Sequence, residues 1–372
     1  MKRTIIVLTQ NKFDKRDYFR FGVDKCIARG YNVLVYDLSH ILRPSEYQLQ
    51  YNPENLIVDD YVVRIKDYAD LETQIKKEET GICNVFCYIN LYPDSERIFS
   101  ILSNCNLPYT TFKLGVLPEV VSAGRYWLSR TKYFIRYHLL RRKIHASAYH
   151  VIAGQKSIGR PGAKVGKHSE IIFCGSMDFN RYFEFKAKES LSKESGNKVQ
   201  IVFVDEFYPL HPDLNGTLFI DPDYYYTNMN LVLKRLEQEL GMKVTIAVHP
   251  RADYTKNPFE FPLMYNRTME AISEAKLVVG HASTAFSYAV LMDKPILQVG
   301  FKSASNHFYG KLLTKFSYEL GLKTFYVDTD LTYTYPVVNR EKYAKYISNY
   351  LNNGVLKENV NPVNSLLNTI EH

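Results

Sequence analysis

No run of apolar residues in this sequence approaches the ~20 that a helix needs to cross a bilayer, so no membrane span is expected. The N-terminus, from Met1 to Gln10, has a charged start but only four consecutive apolar side chains, Ile5, Ile6, Val7 and Leu8. A secretory signal holds ~7–15 apolar residues there, so export is not expected. Cysteine is sparse: Cys26, Cys83, Cys87, Cys105 and Cys174 form an odd, scattered set. That argues against a disulfide framework and for reduced thiols. Cys83 and Cys87 lie on an apolar, strand-like run with no Cys or His cluster beside them, which argues against zinc. No Gly-x-Gly-x-x-Gly follows the first predicted strand, so nothing supports a dinucleotide fingerprint. Low-complexity character is lacking as well. With 46% hydrophobic and 23% charged residues, this is the composition of a folded chain.

The sharpest local deficit is of acidic residues. From Val121 to Ser169 there is no Asp or Glu, yet there are eleven Lys and Arg. The whole chain carries +8, from 47 basic and 39 acidic side chains; outside that stretch the balance is 36 minus 39, or −3. Charge confined in this way is a local feature. With no binding motif beside it, nucleic acid is not the expected partner. Helical spacing over 125–143 places Arg125, Lys132, Arg136 and Lys143 on one stripe and Trp127, Leu128, Phe134, Ile135 and Leu139 on another. A basic amphipathic helix of this kind suits an anionic membrane surface. It suits equally a surface helix packed on its own domain, or a guide for an anionic glycan. The expected location is the cytoplasm, peripheral on the inner face of the plasma membrane if the membrane reading holds.

At 372 residues the chain is longer than one core usually serves, so two domains are expected. Short β-rich runs alternate with helical patterns: strands at Thr4–Leu8, Asn32–Tyr36 and Asn84–Ile89, helices near Asp17–Ala28, Ala69–Lys77 and Ser95–Ser103. This rhythm predicts an α/β domain with parallel strands. After a polar linker at Ser190–Asn197 it restarts. Strands are expected at Val199–Val204, Val244–Val248, Leu277–Val279 and Pro295–Val299. Helices are expected at Asn228–Leu240, Arg267–Ala275, Thr284–Met292 and Glu341–Asn352. The division is therefore an N-terminal Rossmann-like domain over 1–190, a second over 198–350, a cleft between them, and a tail over 351–372 that packs back across the first.

Three polar clusters follow strands of the second half: Asp205-Glu206, His249-Pro250-Arg251 and Gly280-His281-Ala282-Ser283-Thr284. In a parallel sheet all three share one edge, where ligands bind. Ser283 or Thr284 can cap the next helix, whose N-terminus suits a phosphate. Gly280 permits a tight turn or close approach of a ligand. Arg251 is a fixed cation and His249 a donor, both suited to the same anion. Pro250 fixes the turn. Together these predict a pocket for a nucleotide's phosphate.

Ala247-Val248-His249-Pro250-Arg251, Val279-Gly280-His281-Ala282-Ser283-Thr284-Ala285-Phe286-Ser287 and Asp293-Lys294-Pro295-Ile296-Leu297 resemble the donor half of GT-B glycosyltransferases that build bacterial surface polysaccharides. The resemblance is closest to the sialyl-, polysialyl- and Kdo-type transferases. It implies a GT-B fold with 1–190 as the acceptor domain and 198–350 as the nucleotide-sugar donor domain, a CMP-activated 2-keto sugar such as a nonulosonic acid or Kdo as donor, a glycan or lipid-linked glycan as acceptor, inversion, and no metal or other cofactor. His249 would contact the donor phosphate and help CMP leave. Ser283 and Thr284 would hold phosphate or ribose, and Asp205 or Glu206 would be the general base. The family's acidic motif ends in Gly, whereas Phe207 follows here. His211, in His211-Pro212-Asp213, is a further candidate for the base. Asp221-Pro222-Asp223 has the spacing of a metal-binding Asp-x-Asp, but its place before a helix favours capping. Alternative readings are a polyol-phosphate transferase, a nucleotide-sugar epimerase of the same fold, or a non-catalytic nucleotide- or glycan-binding protein.

Overall fold

The computed structural model describes residues 3–44, 56–78, 81–115, 118, 135, 138–139, 142–157, 163–189, 199–210, 220–250, 252, 254–354 and 360–371. The chain forms two compact units. The first contains the described residues up to Gly115, those from 135 to 177, and the C-terminal helix Pro362–Glu371. The second spans 178–354. The helix Met177–Glu189 precedes the linker in sequence, yet from Asp178 on it lies with the second unit. The reason is apolar: Phe179 is buried in that unit's core, with Tyr182 and Phe183 packed against it.

The first unit is built on a seven-stranded sheet. Its strands are β1 (Thr4–Thr9), β2 (Asn32–Asp37), β3 (Val62–Arg64), β4 (Ile82–Cys87), β5 (Tyr109–Lys113), β6 (Tyr149–Ala153) and β7 (Glu170–Cys174), in the order β3-β2-β1-β4-β5-β6-β7. The second unit's sheet has β8 (Ile201–Val204), β9 (Val244–Ala247), β10 (Leu263–Met264), β11 (Leu277–Gly280), β12 (Ile296–Gly300) and β13 (Phe325–Tyr326), in the order β10-β9-β8-β11-β12-β13. Every pairing within both sheets is parallel. Renumbered from its own first strand, the second sheet reads 3-2-1-4-5-6, the Rossmann order, and the first reads the same with a seventh strand added at the end. The expected pair of Rossmann-like domains is therefore present.

Alternation along the strands explains why these sheets are covered on both faces. Val202 and Val204 enter one core with Ala271, Phe286, Phe316 and Tyr346. Ile201 and Phe203 enter the other with Tyr225, Met229, Leu233 and Leu236 of the helix Pro222–Leu240. Each such side chain is worth ~1.5–3 kcal/mol when fully buried, so the register is strongly set.

Local signals place the helix ends. Asp221 accepts a hydrogen bond from the Tyr224 N–H at 2.9 Å, Pro222 opens the helix, and Gly241 closes it at φ +60°. Asp221 is thus an N-cap, and the helix begins six residues earlier than the sequence pattern placed it. The expected helix Asp17–Ala28 is two, Lys15–Arg20 and Val23–Ala28. They are split by Gly22 at φ +67°, where a Cβ would come within 2.5 Å of Val363 on the C-terminal helix. The expected helix Glu341–Asn352 is α-helical over Arg340–Tyr346 and π-helical over Ile347–Asn352.

Candidate active site

β8 lies between β9 and β11. The polar segments that follow these three parallel strands therefore share one edge. The strand order reverses between β8 and β11, which makes their carboxyl ends the switch point of the sheet. Glu206 bridges that point: its Oε1 accepts from the His281 N–H at 2.9 Å and from the Ala282 N–H at 2.8 Å. Oε2 has no partner among the described residues. Burial outweighs these two bonds, and the carboxyl is pushed up to about 8. At neutral pH it holds its proton most of the time, and a modest rise in pH releases it.

Asp205 has a different environment. It is 2% exposed, and both oxygens are used. Oδ1 accepts from the Phe207 N–H at 2.8 Å, and Oδ2 from the His249 N–H at 3.3 Å and the Tyr254 hydroxyl at 2.9 Å. Burial raises its pKa in spite of these donors. Asp205 joins the end of β8 to the loop after β9 through these bonds. Of the acidic pair, Glu206 has the free oxygen that proton transfer requires.

Phe207, which stands where the resemblance has Gly, adopts φ +52°. This is the left-handed region that glycine enters without strain and that costs an L-residue ~1–2 kcal/mol. Phe207 thus takes a backbone conformation that glycine favours. The Phe207 ring meets Tyr254 edge-on at 5.6 Å between centroids, which offsets the strain. Phe207→Gly is therefore expected to melt within a few degrees of wild type. Phe207→Ala, which keeps the strain and loses the ring, should be the less stable of the two by about 1 kcal/mol. Urea denaturation of both variants checks this.

His281 was expected to contact the donor. Its ring is fully buried instead. Nδ1 lies 2.8 Å from the Val299 carbonyl oxygen and Nε2 lies 2.8 Å from the Tyr225 hydroxyl, so Nδ1–H donates and Nε2 accepts. Tyr208 stacks on the ring at 4.5 Å. Burial lowers its pKa to about 4, so the imidazole is neutral. Its carbonyl accepts from Gln298 Nε2 at 2.9 Å. These bonds fix the backbone N–H that Glu206 uses. Gly280 also has an internal reason: an added Cβ would lie 2.9 Å from the Phe286 ring.

The helix after β11 starts at Phe286, not Thr284, and has six residues with Ala285 as a cap that uses no side chain. Ser283 Oγ accepts from the Ala285 N–H at 3.2 Å in the turn ahead of it. The N–H groups of Ser283 and Thr284 have no acceptor among the described residues. Ser283 is half-buried and Thr284 exposed; His249 is half-buried and Pro250 exposed. Arg251 and His211 lie outside the described residues, as do Arg125, Lys132 and Arg136. Lys143 is exposed. Ile135 and Leu139, of the expected apolar stripe, are 57% and 52% exposed.

The groups that sequence reasoning missed are Tyr254, Tyr208, Tyr225 and Gln298, which orient the two carboxyl loops from behind. The run Tyr224-Tyr225-Tyr226 was visible. Which of its rings turned inward was not.

No family model matches the chain, and no curated protein matches it. Among solved structures it is similar to MurG of Acinetobacter baumannii, at 11% identity and a TM-score of 0.47, covering 100% of this chain and 99% of that one. It is similar also to the UDP-GlcNAc 2-epimerase of Methanocaldococcus jannaschii (10%, TM-score 0.47, 97% and 95% covered). A third likeness is to the wall teichoic acid polymerase TagF (11%, TM-score 0.47, 94% and 80% covered). At such identities and scores none of them carries a donor, an acceptor or a reaction to this chain.

Proposed function

We propose that this chain is a GT-B glycosyltransferase that moves a sugar from a nucleotide donor to a glycan acceptor, with Glu206 as general base. The observation that carries the reading is Glu206 itself. It is a carboxyl at the switch point of the second sheet, with one oxygen fixed by two backbone N–H groups, the other unpartnered, and a pKa raised to about 8. A base works best when its pKa lies near the operating pH.

In the proposed step the acceptor hydroxyl loses its proton to Glu206 Oε2 as its oxygen bonds to the anomeric carbon. The bond from that carbon to the donor's phosphate oxygen breaks, and the nucleotide leaves with the electron pair. The N–H and hydroxyl groups of Ser283 and Thr284, with His249 and Arg251, are proposed to take up the charge on the leaving phosphate. A carboxyl that is mostly neutral at pH 7 does not repel that phosphate, which supports placing both at one edge. The donor is proposed to be CMP-activated, of the nonulosonic acid or Kdo type, following the motifs at His249 and Ser283. The acceptor is proposed to be a surface glycan, free or lipid-linked.

Nucleotide release from CMP-N-acetylneuraminate, CMP-Kdo, UDP-GlcNAc and CDP-glycerol tests the reading. CMP release that requires an acceptor is the expected result. Turnover of CDP-glycerol alone, or epimerisation of UDP-GlcNAc, would replace it with the corresponding rival reaction. The rate is expected to be unchanged in EDTA; complete loss, restored by manganese, would overturn the metal-independent mechanism.

A further inference from the structure

β12 reads Ile-Leu-Gln-Val-Gly, and Gln298 is its only polar side chain. A parallel strand covered on both faces is ordinarily apolar throughout. Gln298 has no exposed surface, so its amide needs partners inside the protein to offset the cost of burial. It has them at both ends. Nε2 donates to the His281 carbonyl at 2.9 Å and to the Leu313 carbonyl at 3.1 Å. The Ser317 hydroxyl donates to Oε1, and the Thr324 hydroxyl lies 3.1 Å from the same oxygen. Carbonyls only accept, so the amide can face one way alone.

The register gives this amide its reach. Gln298 stands opposite Gly280 on β11, which brings the carbonyl of the next residue, His281, within hydrogen-bond distance. That carbonyl belongs to the peptide group joining His281 to Ala282. The N–H of the same group donates to Glu206 Oε1 at 2.8 Å. Gln298, the 281–282 peptide and Glu206 therefore form one line of hydrogen bonds. A donor on a peptide's oxygen polarises the group and makes its N–H the stronger donor. It also keeps the peptide from turning away. The other N–H on Glu206, that of His281, belongs to the preceding peptide, which the Gln298 side chain does not touch.

We propose that Gln298 is a positioning residue for Glu206, acting through the 281–282 peptide to hold and strengthen one of the two donors on Oε1. It acts from inside the core and reaches no ligand. The titratable groups around Glu206 are Asp205 on its own strand end, Tyr208 in the loop beyond, Tyr225 of the helix Pro222–Leu240 and the His281 ring after β11. Tyr309 stands beyond Tyr208. The Asp205 charge raises the Glu206 pKa. Burial pushes both phenols, Tyr208 and Tyr225, up and keeps the imidazole neutral. The peptide donor works against these effects by favouring the carboxylate.

Carbon-13 NMR of the full chain labelled at the glutamate carboxyls tests this, the Glu206 signal being the one that Glu206→Gln lacks. In the wild type its midpoint should lie at about 8. Gln298→Met removes the amide at nearly the same volume. With a weaker donor on Oε1 the carboxyl holds its proton more tightly. The midpoint should rise by about half a unit, a roughly threefold weaker acid. Gln298→Asn keeps an amide but draws it back by one methylene, and should do the same. Ser317→Ala is the control. It removes a bond of the same network yet leaves Thr324 beside Oε1 and Nε2 on His281, so its midpoint should stay at the wild-type value. Unmoved midpoints in both Gln298 variants, or an equal rise in Ser317→Ala, would overturn the proposal. Only the effect on rate rests on the transferase reading. With Glu206 as base, the pH limb of kcat/KM rises together with the midpoint. A midpoint that moves while the limb stays would remove the base assignment and leave the role of Gln298 standing.

Discussion

Glu206→Gln is expected to abolish turnover while making the folded chain more stable at alkaline pH. Gln keeps an Oε1 acceptor for the His281 and Ala282 N–H groups but cannot take a proton. Loss of a general base costs ~10²–10⁴ in rate. The stability effect has the opposite sign, and its window follows from the shift. The carboxyl's pKa is raised from 4.5 to about 8 in the folded state. Between those values the folded chain holds a proton that the unfolded chain has released, so wild-type stability falls as pH rises across that window. At ~1.36 kcal/mol per pKa unit the loss amounts to a few kcal/mol by pH 8.5. Glutamine has no such term. Melting temperatures from pH 5 to 9 should therefore diverge, with the variant the more stable at the upper end. Asp205 also has a raised pKa, but it is present in both proteins and drops out of the difference. Parallel curves would show that Glu206 is not held in its neutral form, and the base assignment would go with it. The same shift predicts that wild-type kcat/KM climbs with pH up to about 8 and then levels.

Removing the C-terminal helix is expected to unfold the first unit and spare the second. Val363, Leu366 and Leu367 are buried in the core that holds Ile5, Val7, Val33 and Val35. Leu→Ala at one such position costs ~2–5 kcal/mol. Losing the whole helix removes three of these side chains, plus the Glu371 contacts to Arg29 at 2.9 Å and Tyr31 at 3.0 Å. That approaches the ~5–15 kcal/mol total stability of an ordinary domain. Hydrogen exchange on a chain truncated before Val360 should show protection lost in β1, β2 and β4 and retained in β8, β9 and β11. Intact protection in β1 would mean that the helix is peripheral to the first core.

Much of the fold was legible because it is written locally. β-rich runs separated by amphipathic helices gave the strands on either side of Asp205, His249 and Gly280, and Gly241 marked a helix end that the φ angle of +60° confirms. The middle of the first unit was not legible. β5, β6 and β7 are only five residues each, too short for a clear period, and 125–143 lies almost wholly outside the described residues. Gly22 was missed because its reason, Val363, is more than three hundred residues away. The helix Phe308–Leu320 was missed as well, though its closing Gly321, at φ +68°, offered the same kind of signal as Gly241.

The site divides along the same line. The sequence alone determined that Asp205-Glu206, His249 and Gly280–Thr284 share an edge, because a parallel sheet brings the carboxyl ends of neighbouring strands together whatever the side chains do. Only the tertiary structure decided what each group can do there. Tyr254, 49 residues from Asp205, takes up one of its oxygens. Tyr225, 56 residues from His281, holds that ring inside. Glu206 is left with one oxygen free. Strand position follows from local periodicity, whereas the direction and protonation of a side chain depend on burial and partners supplied by distant parts of the chain.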